Sequence, residues 1–335
     1  MGQPRGDEED LLLAEVADLY YAQDLTQEQI ARRFAVSRSN VSRMLKEARA
    51  RGLVEIRIHH PLPTRAALQA ELQARFGLRA CLVLAAEEDG EGDPEDGAGA
   101  GETARRIGAL AARYLQANVP DHSAVGVGWG STVYQVVSSG YLGRKPGMSV
   151  VQLMGSIGGA TPDIDGAQVA ARLGRALGAR VYYLHAPMVV TDPAVRHGLL
   201  RDQHIRKTME VARRAGTIVA SVGAISEQSG IYRAGYLHAA DLEYIRGEGA
   251  VGDLCGAYYA LDGALVPLEI TDRMMAVPAE VMRNVPLRVG VSWGEQKALA
   301  NLGAVRSGLL NVLITDEAAA RAMLAEVDRE AVGAA

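Results

Sequence analysis

The chain has two cysteines in 335 residues, Cys81 and Cys255, each inside an apolar stretch. That excludes a disulfide framework and a four-thiolate metal site. No uninterrupted apolar run approaches the ~20 residues of a spanning helix. The first ten residues, Met1-Gly-Gln-Pro-Arg-Gly-Asp-Glu-Glu-Asp10, are acidic where a secretory leader would be basic and then apolar. No membrane partner is expected, and the expected location is the cytoplasm. HExxH, GxSxG and Cys-x-x-Cys are missing, and the seven histidines are scattered. His197 and His204, seven apart, read as surface or core residues on one helix face rather than as ligands. No metal, cofactor or catalytic residue is expected. Lysine is also scarce, with four (Lys46, Lys145, Lys207, Lys297) against 31 arginines.

What is present describes a folded chain. Hydrophobic residues make up 48%, charged residues 22%, and mean hydropathy is +0.01, which excludes a disordered polymer. The length predicts about two domains. A net charge of −5 argues against nucleic acid until the charges are placed. Glu87 to Gly101 carries seven acids, no bases and five glycines, and reads as a solvated surface loop. Ile30 to His60 carries eight bases and two acids, a local net of +6. Such a patch is what phosphate attraction requires.

The basic segment has a definite pattern. Leu12, Val16, Leu19 and Tyr20 recur at three and four residues, predicting a first helix with one buried face. Thr26 and Gln29 have capping-box spacing, so a second helix starts at Thr26. It breaks near Ala35-Val36, Ser37 caps a third helix running through Arg49, and Gly52 suits its left-handed end. Two short helices joined by a turn of about three residues form the pattern of a helix-turn-helix with Ile30, Ala31, Val36, Val41 and Leu45 as its core. Ser37, Arg38, Ser39, Asn40, Ser42 and Arg43 then face outward at the start of the third helix, the part that enters a major groove. Arginine suits guanine O6 and N7, and asparagine suits the adenine edge. Arg32, Arg33, Lys46 and Arg49 are placed to meet phosphates, and Thr26 joins the DNA-contacting set. A helical bundle with a solvated basic face is the other reading, and caps, turn, core pattern and charge weigh against it. Leu53 to Ile58 alternates like a strand beside the helices, and Thr64 to Phe76 reads as an amphipathic helix stopped by Gly77.

At this point the chain resembles the bacterial SorC/DeoR-type sugar-binding transcriptional regulators. LTQEQIARRFAVSRSNVSRMLKEARARGLVEI is similar to their DNA-binding segment. VGVGWGSTVYQV, VGDLCGAYYALDG and VSWGEQKALANLGAVRSGLLNVLITDE are similar to their effector domain. The turn Phe34-Ala35-Val36 departs from the glycine common in such turns, which costs on the order of 1 kcal/mol if Ala35 is left-handed. The acidic loop is longer than the resemblance needs. The resemblance implies an α/β protein: an N-terminal helix-turn-helix domain (1–60), a linker helix (61–79) and a Rossmann-like, sugar-phosphate-isomerase-like effector domain (80–325). Its implied partners are operator double-stranded DNA, a sugar or sugar-phosphate effector and a homodimer or homotetramer. An isomerase carrying a regulatory DNA-binding segment is the alternative.

The larger domain also reads on its own residues. Ala80–Ala85, Ala124–Val127, Ser149–Met154, Arg180–Leu184, Thr217–Val222, Leu287–Val291 and Leu309–Ile314 are short apolar runs. Helical stretches such as Glu102–Gln116 and Asp165–Leu177 lie between them, predicting a mainly parallel sheet covered on both faces. Ligands then sit at the carboxyl ends of strands. The loop Gly126-Val-Gly-Trp-Gly-Ser-Thr132 leaves a strand and opens a helix. With Gly128, Gly130, Ser131 and Thr132 it is either an anion cradle or an ordinary tight turn, and the resemblance favours phosphate. Gly155 and Ser156 follow the next strand as a pocket wall. Asp165 and Gln168 either reach sugar hydroxyls or, for Asp165, merely cap a helix. Asp253 lies at a strand end beside glycines, where the resemblance implies a carboxylate on the effector and a plain turn is the other reading. Lys297 near a helix start is either a phosphate or hydroxyl ligand or a solvated surface residue. Trp129 and Trp293 are either pocket walls or packing.

Overall fold

The computed structural model describes residues 5–54, 62–86, 98–158 and 164–333. They fall into two compact units, Met1–Pro61 and Leu62–Ala335, each with its own core.

In the smaller unit, α1 (Arg5–Tyr21), α2 (Gln27–Arg33) and α3 (Arg38–Ala50) enclose Leu13, Val16, Leu19, Ile30, Val41, Leu45 and Ala48. Leu13 rather than Leu12 is the inward residue of α1: Leu13 is 2% exposed and Leu12 41%. Val16 and Leu19 of the expected stripe are buried and Tyr20 packs against the same core, so the correction is confined to Leu12. The capping box at Thr26 and Gln29 is present in both directions. Ser37 Oγ accepts from the Asn40 amide, and Gly52 takes φ +74° just past α3. Ala35 is left-handed, φ +54°, which lets Val36 N donate to Ala31 O and close α2. The strand expected over Leu53 to Ile58 lies mostly outside the described residues.

The larger unit runs α4 (Ala66–Phe76), β1 (Ala80–Leu84), α5 (Ala98–Asn118), β2 (Ala124–Val127), α6 (Ser131–Ser138), β3 (Ser149–Gln152), α7 (Gly166–Leu177) and β4 (Arg180–Tyr182). It continues with α8 (Pro193–Leu199), α9 (Gln203–Arg213), β5 (Thr217–Ser221), β6 (Gly223–Ala224), α10 (Gly230–Arg233), α11 (Ala239–Gly247), β7 (Ala250–Leu254) and β8 (Ala257–Ala260). Last come α12 (Ala279–Arg283), β9 (Leu287–Val291), α13 (Ala298–Arg306), β10 (Val312–Asp316) and α14 (Glu317–Gly333). Among the described residues, seven strands form one all-parallel sheet in the order β1-β10-β9-β5-β2-β3-β4. Alternate side chains enter different cores, as a sheet covered on both faces requires. Ile218 and Ala220 face one cluster and Val219 the other, and Leu313 lies between Val312 and Ile314 in the same way. Helices α5, α6 and α7 cover one face.

Three expectations need correcting. Residues 98–101 of the expected acidic loop begin α5, while 87–97 lie outside the described residues. His197 and His204 sit on separate helices, α8 and α9, because Asp202 caps a new start between them. A second sheet, β6-β7-β8, is antiparallel and was not foreseen. In addition, α4 packs its buried Leu72 into the core of the larger unit.

Sheet order fixes where a ligand fits. From β2 the chain steps outward through β3 to β4, then returns to β5 on the other side of β2 and continues toward β9. The loops after β2 and β5 therefore part in opposite directions, and such a crevice at the carboxyl ends of strands is where open α/β sheets bind ligands. No helix of the described residues is long and apolar enough to cross a membrane.

Candidate functional sites

At the start of α3 the expected set is displayed together. Thr26, Arg32, Ser37, Arg38, Ser39, Arg43 and Lys46 are exposed, and Asn40 and Ser42 half-buried. Several are already engaged. Thr26 is occupied by its capping box with Gln29, Ser37 Oγ and Ser39 Oγ are 2.8 Å apart, and Arg43 donates to Asn40 Oδ1 at 2.7 Å. Two bases of the segment are spoken for: Arg51 binds Glu9, Asp10 and Glu47, and the Arg49 guanidinium lies 5.3 Å from the Tyr21 ring centre. Among the described residues, Arg32, Arg33, Arg38 and Lys46 form no ion pair, and all four are exposed.

In the larger unit a cavity of about 120 Å³ occupies the crevice between β2 and β5. Trp129, Gly130, Ser131 and Thr132 contribute the loop after β2, and Ser221, Val222 and Gly223 the loop after β5. Asp253 and Cys255 come from the second sheet, and Lys297 from the segment before α13. Of the expected set, Gly130, Ser131, Thr132, Asp253 and Lys297 are brought together here; Gly128, Gly155, Ser156 and Gln168 do not line the cavity.

The two glycines are excluded by close neighbours. A Cβ on Gly128 would stand 3.1 Å from Cys255 Sγ, so this glycine lies behind the wall. On Gly155 it would meet the Pro187 carbonyl oxygen at 2.4 Å. Ser156 is held by a bridge to Pro187, and Gln168 points to solvent on α7. Asp165 precedes α7 without capping it; its carboxylate accepts from the Ile157 amide at 2.7 Å. Trp129 is a cavity wall, whereas Trp293 packs against a core.

Gly130 sets the anion-facing end. Its φ of +112° and ψ of 165° belong to a region essentially reserved for glycine, and it turns the chain directly into α6. No side chain caps that helix. The amides of its first turn lack intrahelical acceptors, and the helix dipole adds partial positive charge there. Arg233, exposed on α10, and Lys297 bring two cations to a cavity whose lining acid is Asp253.

Asp253 and Lys297 face the cavity without forming a direct ion pair. Burial pushes the Asp253 carboxyl up, opposed by the Gly256 amide and by the charge of Lys297. Burial pushes the Lys297 ammonium down, opposed by Asp253, while its Nζ donates to Val222 O at 3.1 Å. Gly223 makes the arrangement possible: it pairs with Asp253 across β6 and β7, and a Cβ there would lie 2.0 Å from Asp253 Oδ1. Gly230 plays a similar part for Trp129, whose ring would be 2.9 Å from an added Cβ. Ser221, Gly223, Gln228, Ser229 and Arg233 were not foreseen. The one available signal was their position after a strand, in a stretch of small polar residues.

Comparisons with known proteins agree with this division. Residues 60–325 match the family model of a sugar-binding domain, and residues 16–66 match that of the MarR family. The chain is 30% identical over 318 residues to the deoxyribonucleoside regulator of Bacillus subtilis, covering 95% of this chain and 98% of that protein. It is 32% identical over 323 residues to the transcriptional regulator LsrR of Klebsiella pneumoniae, covering 95% and 94%. The crystal structure of the full-length sorbitol operon regulator SorC from Klebsiella pneumoniae superposes with a TM-score of 0.70 at 23% identity, covering 95% of this chain and 99% of that one.

Proposed function

The chain belongs to the family of transcriptional regulators with a sugar-binding domain, and from that premise we propose that it represses a carbohydrate operon and releases or retains its operator according to the sugar or sugar phosphate held between Asp253 and Lys297. The observation that carries this reading is the cavity at the switch point. An uncapped helix start and two cations suit an anionic group, and a buried carboxylate suits hydroxyls. The effector acts by binding two arrangements of the protein unequally, since a ligand shifts an equilibrium only by its differential affinity. Operators with two half-sites call for a homodimer or homotetramer.

The test has two stages. Selection from a randomised duplex pool should yield a preferred sequence whose affinity falls steeply with salt; salt-insensitive or sequence-blind binding refutes the DNA reading. Calorimetry with free and phosphorylated sugars, followed by operator titration with each binder, tests the effector. A phosphosugar that binds but never changes operator affinity refutes the control mechanism. Lys297→Ala should abolish any preference for the phosphorylated form.

One observation favours a second reading, a sugar-phosphate isomerase that also regulates. Asp253 and Lys297 line one cavity, and burial raises the carboxyl while lowering the ammonium, which brings the two toward each other as general acid–base chemistry uses. Multiple turnover of a phosphosugar, lost in Asp253→Asn, supports it; tight binding without conversion eliminates it.

A further inference from the structure

Two further hollows are lined by neither Asp253 nor Lys297. One, about 390 Å³, is walled by apolar side chains, among them Leu265, Val266 and Val277; the exposed Glu280 also lines it. The other, about 340 Å³, lies beside α9 and is lined by Arg206, Arg213, Met209 and Glu210. Arg196, Ala276 and Pro278 line both, so the hollows adjoin.

The charge around them is unbalanced. Between Arg196 and Arg214 stand six arginines and lysines and two acids, Asp202 and Glu210. Asp202 is held by the amides of His204 and Ile205, which keep its carboxyl below the usual range. Among the described residues, Arg196, Arg206 and Arg213 form no ion pair, and Arg196 is fixed by donating its Nε to Met274 O at 2.8 Å. An apolar hollow opening beside three guanidinium groups that form no ion pair, against the two lining carboxylates of Glu210 and Glu280, is complementary to a molecule with one apolar and one anionic end.

We propose that the two hollows form one site for a small amphipathic anion, its apolar body against Leu265, Val266 and Val277 and its anionic head between Arg206 and Arg213. The site is separate from the sugar cavity and does not depend on what that cavity binds. Met274 lines both the apolar hollow and the switch-point cavity. A ligand in the second site therefore touches a wall of the first, and any coupling of the two occupancies is reciprocal.

The probe is 8-anilinonaphthalene-1-sulfonate, an aromatic anion that fluoresces when shielded from water, titrated into the full chain. Saturable enhancement is expected, displaced by decanoate or by 1-naphthyl phosphate but not by inorganic phosphate at the same concentration; the two organic competitors separate carboxylate from phosphate heads. Arg206→Gln with Arg213→Gln, both exposed positions, should weaken the probe at least tenfold without moving the melting temperature, and Lys297→Ala should leave it unchanged. Unaltered probe binding in the double variant overturns the proposal, as does equal displacement by inorganic phosphate. Enhancement that appears only when an oligomer dissociates on dilution also overturns it, because a second copy of the chain then fills the hollow.

Discussion

Asp253 depends on a neighbour that has no side chain. Gly223→Ala places a methyl carbon where Asp253 Oδ1 now lies, so the carboxylate must turn away. The expected result is a loss of sugar affinity of about tenfold or more with the fold intact, read by calorimetry against circular dichroism; undiminished affinity would show that Asp253 does not touch the ligand. A second residue-scale prediction concerns pH. Glu317 accepts from Arg65, Arg321 and the Ala86 amide, and the Arg65 bond leads in holding its carboxyl down at about 2. A folded value below the unfolded one means its stabilisation is complete above about 4.5 and is lost as pH falls toward 2. Glu317→Gln should lower stability by roughly 1.5–3 kcal/mol at neutral pH, and the difference from the native chain should shrink in acid melts. Asp253 and Lys297 were legible in the sequence as charges beside glycines. Gly223 was not, because its role is to leave space, and space appears only once β6 and β7 are paired.

Among the elements, α3 makes a divided forecast. Replacing Arg38 or Asn40 by alanine should relax base preference at single operator positions, each worth ~1–3 kcal/mol. Lys46→Ala should weaken all sequences evenly and reduce the salt slope by about one. The Arg43 bond to Asn40 Oδ1 adds a condition: a two-bond contact from Asn40 to adenine requires Arg43 to swing aside. Arg43→Ala should therefore alter preference at the position read by Asn40. Uniform losses across all four variants, measured on single-base operator variants, would contradict the division. In the preceding turn, Ala35→Gly removes a left-handed penalty of ~1 kcal/mol and should raise the melting temperature of the smaller unit. The helices here were readable because Thr26, Gln29, Ser37 and Gly52 are capping signals at fixed spacing. The seven parallel strands were readable as short apolar runs, as expected for strands buried on both faces. Strand β6 is only Gly223 and Ala224, and no pattern marks two small residues as paired until Asp253 and Gly252 lie opposite them.

At the level of the whole molecule, the net charge of −5 conceals a basic reading head, an acidic stretch and a second cationic surface on α8 and α9. The two units have separate cores, Leu13 to Ala48 in one and two clusters from Leu62 onward in the other. A fragment of residues 62–335 should accordingly fold and bind sugar with native affinity while losing all operator affinity; failure to fold would mean that the larger core needs the helices before it. The position of the cavity followed from sheet order rather than from any motif. The segment after β3 does reach the cavity, through Met154 and Ile164, but Gly155 and Ser156 lie against Pro187 and Gln168 is exposed on α7.

That crevice is walled by residues as far apart in the chain as Trp129 and Lys297. No single segment carries enough of it to hold a ligand, so affinity exists only when the sheet is complete. A bound sugar then acts as a keystone between the strand sets that diverge from β2 and β5. Hydrogen exchange should slow throughout both halves of the sheet, well beyond the contacts, and the protein would count as liganded only those copies that are fully assembled.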